Sequence, residues 1–232
     1  PIKSSAASDV YKRQSLGCET PNYLIKGITE FNLLTGGKTI LLACLCAGIS
    51  VIFCIMLHSF GKVFKTFSSN PYERVFFGGT VILCITLILG TTRYSGTGIE
   101  VIASAIGGTA RNSDFFWKML FTAITLACGY KGGEIIPSFF VGATFGCVIA
   151  PVLGLSSSLG AAIGMVSVFC GVTNCPIASL LIALELFGKA PILYFLLAIA
   201  ISYMLSGYYS LYKTQIIAVS KYKNEYVDKK TH

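Results

Sequence analysis

The segment Lys131-Gly132-Gly133-Glu134-Ile135-Ile136-Pro137-Ser138 carries the residues of this chain best suited to chemistry. Two glycines and an acid stand directly before a long apolar run. The first N–H groups of a helix lack intrahelical partners and carry partial positive charge, so a bare helix start is an anion site. Gly132 and Gly133 let the backbone approach an ion with no Cβ in the way. The N–H groups of Glu134 and Ile135 would point at that ion, with Ile136 in the same turn. A tight loop packed between two helices accounts for the same residues equally well. Glu134 sharpens the question, because a buried carboxylate tends to keep its proton and an ionised one competes with an anion for the helix end. It therefore turns to water, pairs with Lys131, or takes up protons. The last option would couple proton movement to anion movement.

A second group of polar atoms lies in Ser206-Gly207-Tyr208-Tyr209-Ser210-Leu211-Tyr212. A Tyr hydroxyl is a neutral donor, able to hold a dehydrated anion without trapping it by full charge. An aromatic belt at a membrane interface would use the same residues. Glu185 and Lys189 stand four apart and are expected to form a local ion pair. His58, alone in an apolar run, is expected to be packed, and Glu100 receives no role. The nine cysteines form no CxxC pair and no Cys/His cluster, and most sit in apolar runs as small hydrophobes. The expectation is no metal, no cofactor and no enzyme activity, since no nucleophile–base pair, phosphate loop or ligand spacing is present.

These residues sit in a membrane protein. Hydrophobic residues make up 54% of the chain and charged ones 12%. No charged residue occurs between Thr39 and Lys62 or between Ile135 and Leu184, and a span needs about 20 apolar residues. The net charge of +8 lies at the ends and in short loops, not on a basic face interleaved with aromatics, so it reads as topology and not as nucleic-acid binding. Lys213, Lys221, Lys223, Lys229 and Lys230 place the C-terminus in the cytoplasm of a multi-pass protein of the cell membrane.

The polar, aperiodic stretch 1–14 reads as a non-native leader and is set aside. Residues 15–38 read as a loop with a short amphipathic piece near 23–31. Helices are expected over 39–60 (running on to 67), 75–92, 115–128, 137–148, 159–170, 177–187 and 191–205, with a short re-entrant piece over 99–105. Pro71 is placed to open the second helix, and Thr173 or Asn174 to cap the helix that Pro176 begins. Ser206-Gly207 breaks the chain, a final helix follows from 208 to about 221, and 222–232 is a basic tail. Many short helices with breaks at membrane depth are a transporter pattern, because irregular backbone there must line a cavity or be buried in protein.

In this order the motifs resemble the CLC family of chloride channels and proton-coupled anion antiporters. Gly133-Glu134-Ile135-Ile136-Pro137 stands where the family has its GxFxP-type helix start, followed by Phe139 to Gly146. Asn174-Cys175-Pro176-Ile177-Ala178 through Glu185 is similar to the later "APL…LE" helix, and Gly207 to Tyr212 to the "GxxxLY" segment. The resemblance implies an all-α, polytopic membrane fold over 39–221. It would be the second of two inverted repeats, with short, broken and re-entrant helices and the first half of the chain missing. It implies a homodimer in the bilayer with one pore per subunit. The central anion would be held by the amides of Glu134 and Ile135 and the hydroxyl of Tyr212, with Tyr209 in reserve. The first expectation is chloride conduction or chloride/proton exchange. Gly-Gly-Glu at this start and Glu185-Leu186-Phe187-Gly188 resemble instead the fluoride/proton antiporter branch, which has Thr where this chain has Ile136. From another class, a non-transporting scaffold or receptor subunit remains.

Overall fold

The computed structural model describes residues 23–28, 30–67, 70–212, 215–221 and 226–231. The leader assigned to 1–14 and the first part of the 15–38 loop lie outside the described residues. Among the described residues eight α-helices follow one another: α1 (Leu33–Phe67), α2 (Pro71–Leu89), α3 (Ile99–Ile106), α4 (Asp114–Cys128), α5 (Ile135–Ile149), α6 (Ser157–Thr173), α7 (Pro176–Phe187) and α8 (Ile192–Leu205). A single 3-10 turn, Pro151–Leu153, joins α5 to α6. Three of the described helices are long and apolar enough to cross a membrane, so the topology is multi-pass.

Helix α6 is the centre. It has no charged residue and every position from Ser158 to Thr173 is buried, as an all-round apolar and small-residue helix requires. It packs most closely on α5 and also touches α1, α3, α7 and α8. The α5–α6 approach is made by two Gly-x-x-x-Gly pairs, Gly142/Gly146 and Gly160/Gly164. A Cβ on any of the four would fall closer than 3.0 Å to backbone or to Cβ of the facing helix. Small residues at this spacing let two backbones meet where lipid supplies no hydrophobic driving force between helices. Around this pair, Phe140, Val141, Leu159, Ile163, Val168 and Phe195 are fully enclosed. Helix α2, by contrast, exposes Phe76, Leu83, Leu87 and Ile88 on its outer face.

Several boundaries differ from the sequence expectation. Helix α1 begins at Leu33, inside the expected loop, and runs to Phe67 as anticipated. Residues 23–28 and 30–32 are coil, not an amphipathic helix; Tyr23 N–H donates to the Leu186 carbonyl at 2.9 Å. Pro71 does open α2, capped by Asn70, whose side chain accepts from the Tyr72 N–H. Asn174 does not cap α7. It closes α6 in the left-handed conformation at φ 57°, and its N–H reaches the Cys170 carbonyl, a position where Asn is favoured after Gly. Among the described residues Glu185 and Lys189 form no ion pair, because α7 ends at Phe187 and Gly188 (φ 75°) turns the chain away.

The largest departure is at the C-terminus. Among the described residues no helix continues from residue 208. Gly207 takes φ 59°, and both the Leu211 N–H and the Ser210 hydroxyl bond the Val172 carbonyl at the end of α6. The chain then forms an antiparallel hairpin of β1 (Ile216–Val219) and β2 (Tyr226–Lys230), with Ile216 opposite Lys230 and a bulge between Ile217 and Val219. Half of the expected tail is thus the second strand.

Candidate functional site

Helix α5 presents its first turn at the end of a loop that carries no helix or strand, and Gly132 and Gly133 are exposed there. Glu134 occupies the cap position without a side-chain capping bond, and its carbonyl accepts from Ser138 N–H at 3.2 Å. Pro137 has no N–H. The N–H groups of Ile135 and Ile136 meet no acceptor among the described residues, so the first turn keeps two donors and the positive end of the helix. The side chains of Ile135 and Ile136 are themselves partly exposed, at 41% and 37%. They leave the backbone open and do not seal it.

Glu134 is half-buried and lines a cavity of about 300 Å³ with Leu57, His58 and Lys65 of α1, Arg74 of α2, Leu126 and Ala127 of α4, Gly129, and Leu211. This cavity joins the two regions singled out in the sequence: the α5 start on one side, the tyrosine loop on the other. It also adds three groups that sequence reasoning left out or set aside, His58, Lys65 and Arg74. Their distance along the chain hid them; only the folded cavity sets them around residue 134.

Tyr212 is 42% exposed and its hydroxyl makes no hydrogen bond among the described residues, so it is available as a donor. Its backbone is fixed: the N–H bonds Ser210 Oγ at 3.2 Å, and the carbonyl accepts from Gln215 N–H (3.1 Å) and Thr231 Oγ1 (2.7 Å). Tyr209 is half-buried, and its carbonyl is taken by the Asn174 amide at 2.9 Å. Tyr208 bonds Ser220 through its hydroxyl at 2.9 Å.

On the other side of the glycine loop, Gly132, Gly133 and Pro137 line a cavity of about 310 Å³ with Tyr94, Ser95, Gly96, Lys118, Thr122 and Tyr130. Lys118 is 3% exposed. Its ammonium donates to the carbonyls of Tyr94 and Gly96 and lies 5.1 Å from the centre of the Phe140 ring. A helix break at membrane depth needs partners for its carbonyls, and here a lysine from α4 supplies them. One turn earlier Asp114, fully buried, binds Arg93 at 3.0 Å and the Tyr94 hydroxyl at 2.7 Å. Lys118→Met is expected to lower the unfolding free energy by about 2–5 kcal/mol, since it leaves two carbonyls without a partner. An SDS titration of the full-length protein checks this; an unchanged midpoint would mean that water replaces the amine.

The described residues contain no group of three or more metal-ligating side chains. Two backbone donors at the positive end of α5 are of the kind that suits an anion, and the Glu134 carboxylate stands directly beside them.

Comparison with known proteins supplies an independent view. The family model for the voltage gated chloride channel matches residues 3–207. A "Chloride/fluoride channel protein" of Pseudomonas syringae pv. tomato is 32% identical over 220 residues, covering 90% of this chain and 48% of the relative. An uncharacterized protein of Methanocaldococcus jannaschii is 23% identical over 184 residues, covering 71% of this chain and 47% of that protein. Among solved structures, the crystal structure of a CLC-type fluoride/proton antiporter superposes with a TM-score of 0.83 at 27% identity, over 87% of this chain and 51% of that one. The chain spans about half the length of the relatives it matches.

Proposed function

From the premise that the chain belongs to the voltage-gated chloride channel family, we propose that it forms half of a CLC-type pathway that moves fluoride in exchange for protons. The observation that carries this reading is Glu134, a half-buried carboxylate at the cap of the very helix whose free N–H groups would hold the anion. A permanently ionised acid there would repel the anion; an acid that gains a proton as the anion arrives would not. The likeness to a structure described as a fluoride/proton antiporter supports the same choice. Chloride, the first expectation from sequence, takes second place and is kept by the name of the Pseudomonas relative, which covers both ions.

In this reading the chain is the second inverted repeat, and a first half completes the pore. The anion rests on the amides of Glu134 and Ile135, the Gly132-Gly133-Ile136 backbone around them, and the Tyr212 hydroxyl. The protein works as a homodimer in the cell membrane with its C-terminus in the cytoplasm.

The test is anion efflux from liposomes holding the full-length protein that contains this sequence, loaded with chloride or with fluoride, at two external pH values. Fluoride efflux is expected to exceed chloride efflux and to rise as external pH falls, because inward proton movement drives it. Chloride dominance without pH dependence would return the protein to chloride conduction. Flux no greater than in empty liposomes for either ion would make it a scaffold.

A further inference from the structure

The tyrosine loop does not run on into a helix; it is gripped by the hairpin that follows it. Thr231, buried at the end of β2, donates its hydroxyl to the Tyr212 carbonyl at 2.7 Å, and its N–H bonds the Gln215 carbonyl at 3.1 Å. Gln215 in turn reaches back to Ser210 Oγ and, through its amide, to the Thr173 carbonyl at 3.1 Å. At the far end of β1, half-buried Lys221 puts its ammonium into a niche made by the Asn174 side-chain oxygen, the Tyr203 carbonyl (2.8 Å) and Ser206 Oγ (3.1 Å), 4.2 Å from the centre of the Tyr203 ring. Asn174 is the residue whose amide also holds the Tyr209 carbonyl. Both ends of the 206–212 loop are therefore tied: its start through Lys221 and Asn174, its end through Thr231. A loop whose functional atom is one exposed hydroxyl needs such support, because a shift of about 1 Å at a binding atom is enough to weaken it.

We propose that the C-terminal hairpin is a clasp that sets the position of Tyr212, with Lys221 and Thr231 as its positioning residues. The proposal rests on the reading of Tyr212 as an anion ligand.

The clasp responds to pH. Burial pulls the Lys221 ammonium down to about 8 from its ordinary 10.5, because three acceptors and one ring replace only part of the lost water. Cys170 of α6 and the Tyr203 ring of α8 face it, and Cys175 and Tyr208 act in turn on Tyr203. Docking therefore favours the neutral amine. That contribution to docking is fully present above about 10.5 and is lost as pH falls through about 8.

The experiment measures fluoride binding to the full-length protein by calorimetry for Tyr212→Phe, Lys221→Met, Thr231→Val and the Tyr212→Phe double variants. Each single change is expected to raise Kd about threefold to tenfold, the range of one lost hydrogen bond. Adding Lys221→Met or Thr231→Val to Tyr212→Phe should then cost nothing further, since both act through the same hydroxyl. Additive losses, or an unchanged Kd in both Lys221→Met and Thr231→Val, would overturn the clasp. An unchanged Kd in Tyr212→Phe itself would instead overturn the reading of Tyr212 as ligand. If Lys221→Met does not fold, Thr231→Val, which removes one hydroxyl, carries the test alone. A second readout is amide exchange over 216–219, corrected for the intrinsic rate. Protection should fall as pH drops through about 8 in the native protein and not in Lys221→Met; protection independent of pH would overturn the part assigned to Lys221.

Discussion

Gly146→Val is expected to abolish folded, transporting protein. A Cβ at residue 146 would collide with the Gly160 carbonyl and approach Gly164 Cα, both backbone atoms of α6, so no side-chain rotation relieves the clash. Overpacking a core by a methylene or two costs about 1–3 kcal/mol when side chains can shift. Here two branches must enter a helix–helix contact that is already backbone on backbone, and the cost should reach or exceed about 3 kcal/mol. The consequence reaches the site directly. Helix α5 carries Glu134 and the free amides at its start, and prying it off α6 tilts that start away from the cavity it shares with Leu211. A control lies in the same protein: a Cβ at Gly48 on α1 would meet nothing within 4 Å, so Gly48→Ala should leave yield and flux unchanged. Monodisperse yield in detergent and fluoride efflux check both variants. A Gly146→Val protein that still transports would show that the close α5–α6 approach is dispensable.

Much of this architecture could be read from the chain. Long apolar runs between Gly, Pro and Asn punctuation locate seven of the eight helices to within a few residues, and the Gly-x-x-x-Gly spacings on α5 and α6 stand in plain view. The misreadings have physical causes. Ile216-Ile217-Ala218-Val219 is a short apolar run, and such runs fit a strand as well as a helix until flanking contacts decide; here the decision is made by bonds from 210–215 to the end of α6. Asn174 suits either the end of α6 or the start of α7, and only its left-handed backbone selects the first. Lys118 is conspicuous in sequence as a charge in an apolar helix, but its carbonyl partners lie 22 and 24 residues upstream and become visible only when the break after α2 folds over it. The cavity around Glu134 was hidden for the same reason: its basic groups come from α1 and α2, far from Glu134 along the chain.

On the proposed fluoride/proton exchange, Glu134→Gln is expected to remove proton movement while fluoride still flows. Gln keeps the shape and the hydrogen-bonding capacity of a protonated Glu but cannot exchange a proton. The coupling follows from linkage: if an anion at the α5 start makes a proton on Glu134 more favourable by some factor, the proton strengthens anion binding by the same factor. Each tenfold of that factor corresponds to about 1.4 kcal/mol between the two states. The cavity supplies what such exchange needs, a carboxylate in contact with both an open helix start and a space bordered by Lys65, Arg74 and His58. With Gln at 134 the site is fixed in the state that accepts the anion, so fluoride binding should be at least as tight as in the native protein and flux should no longer depend on external pH. Simultaneous recording of fluoride efflux and proton uptake in liposomes reads both quantities. Proton uptake at the level of empty liposomes, with fluoride efflux retained, is the expected result. Equal loss of the two would make Glu134 a structural cap of α5, and retained coupling would place the proton on another group, of which His58, in the same cavity, is the first to replace.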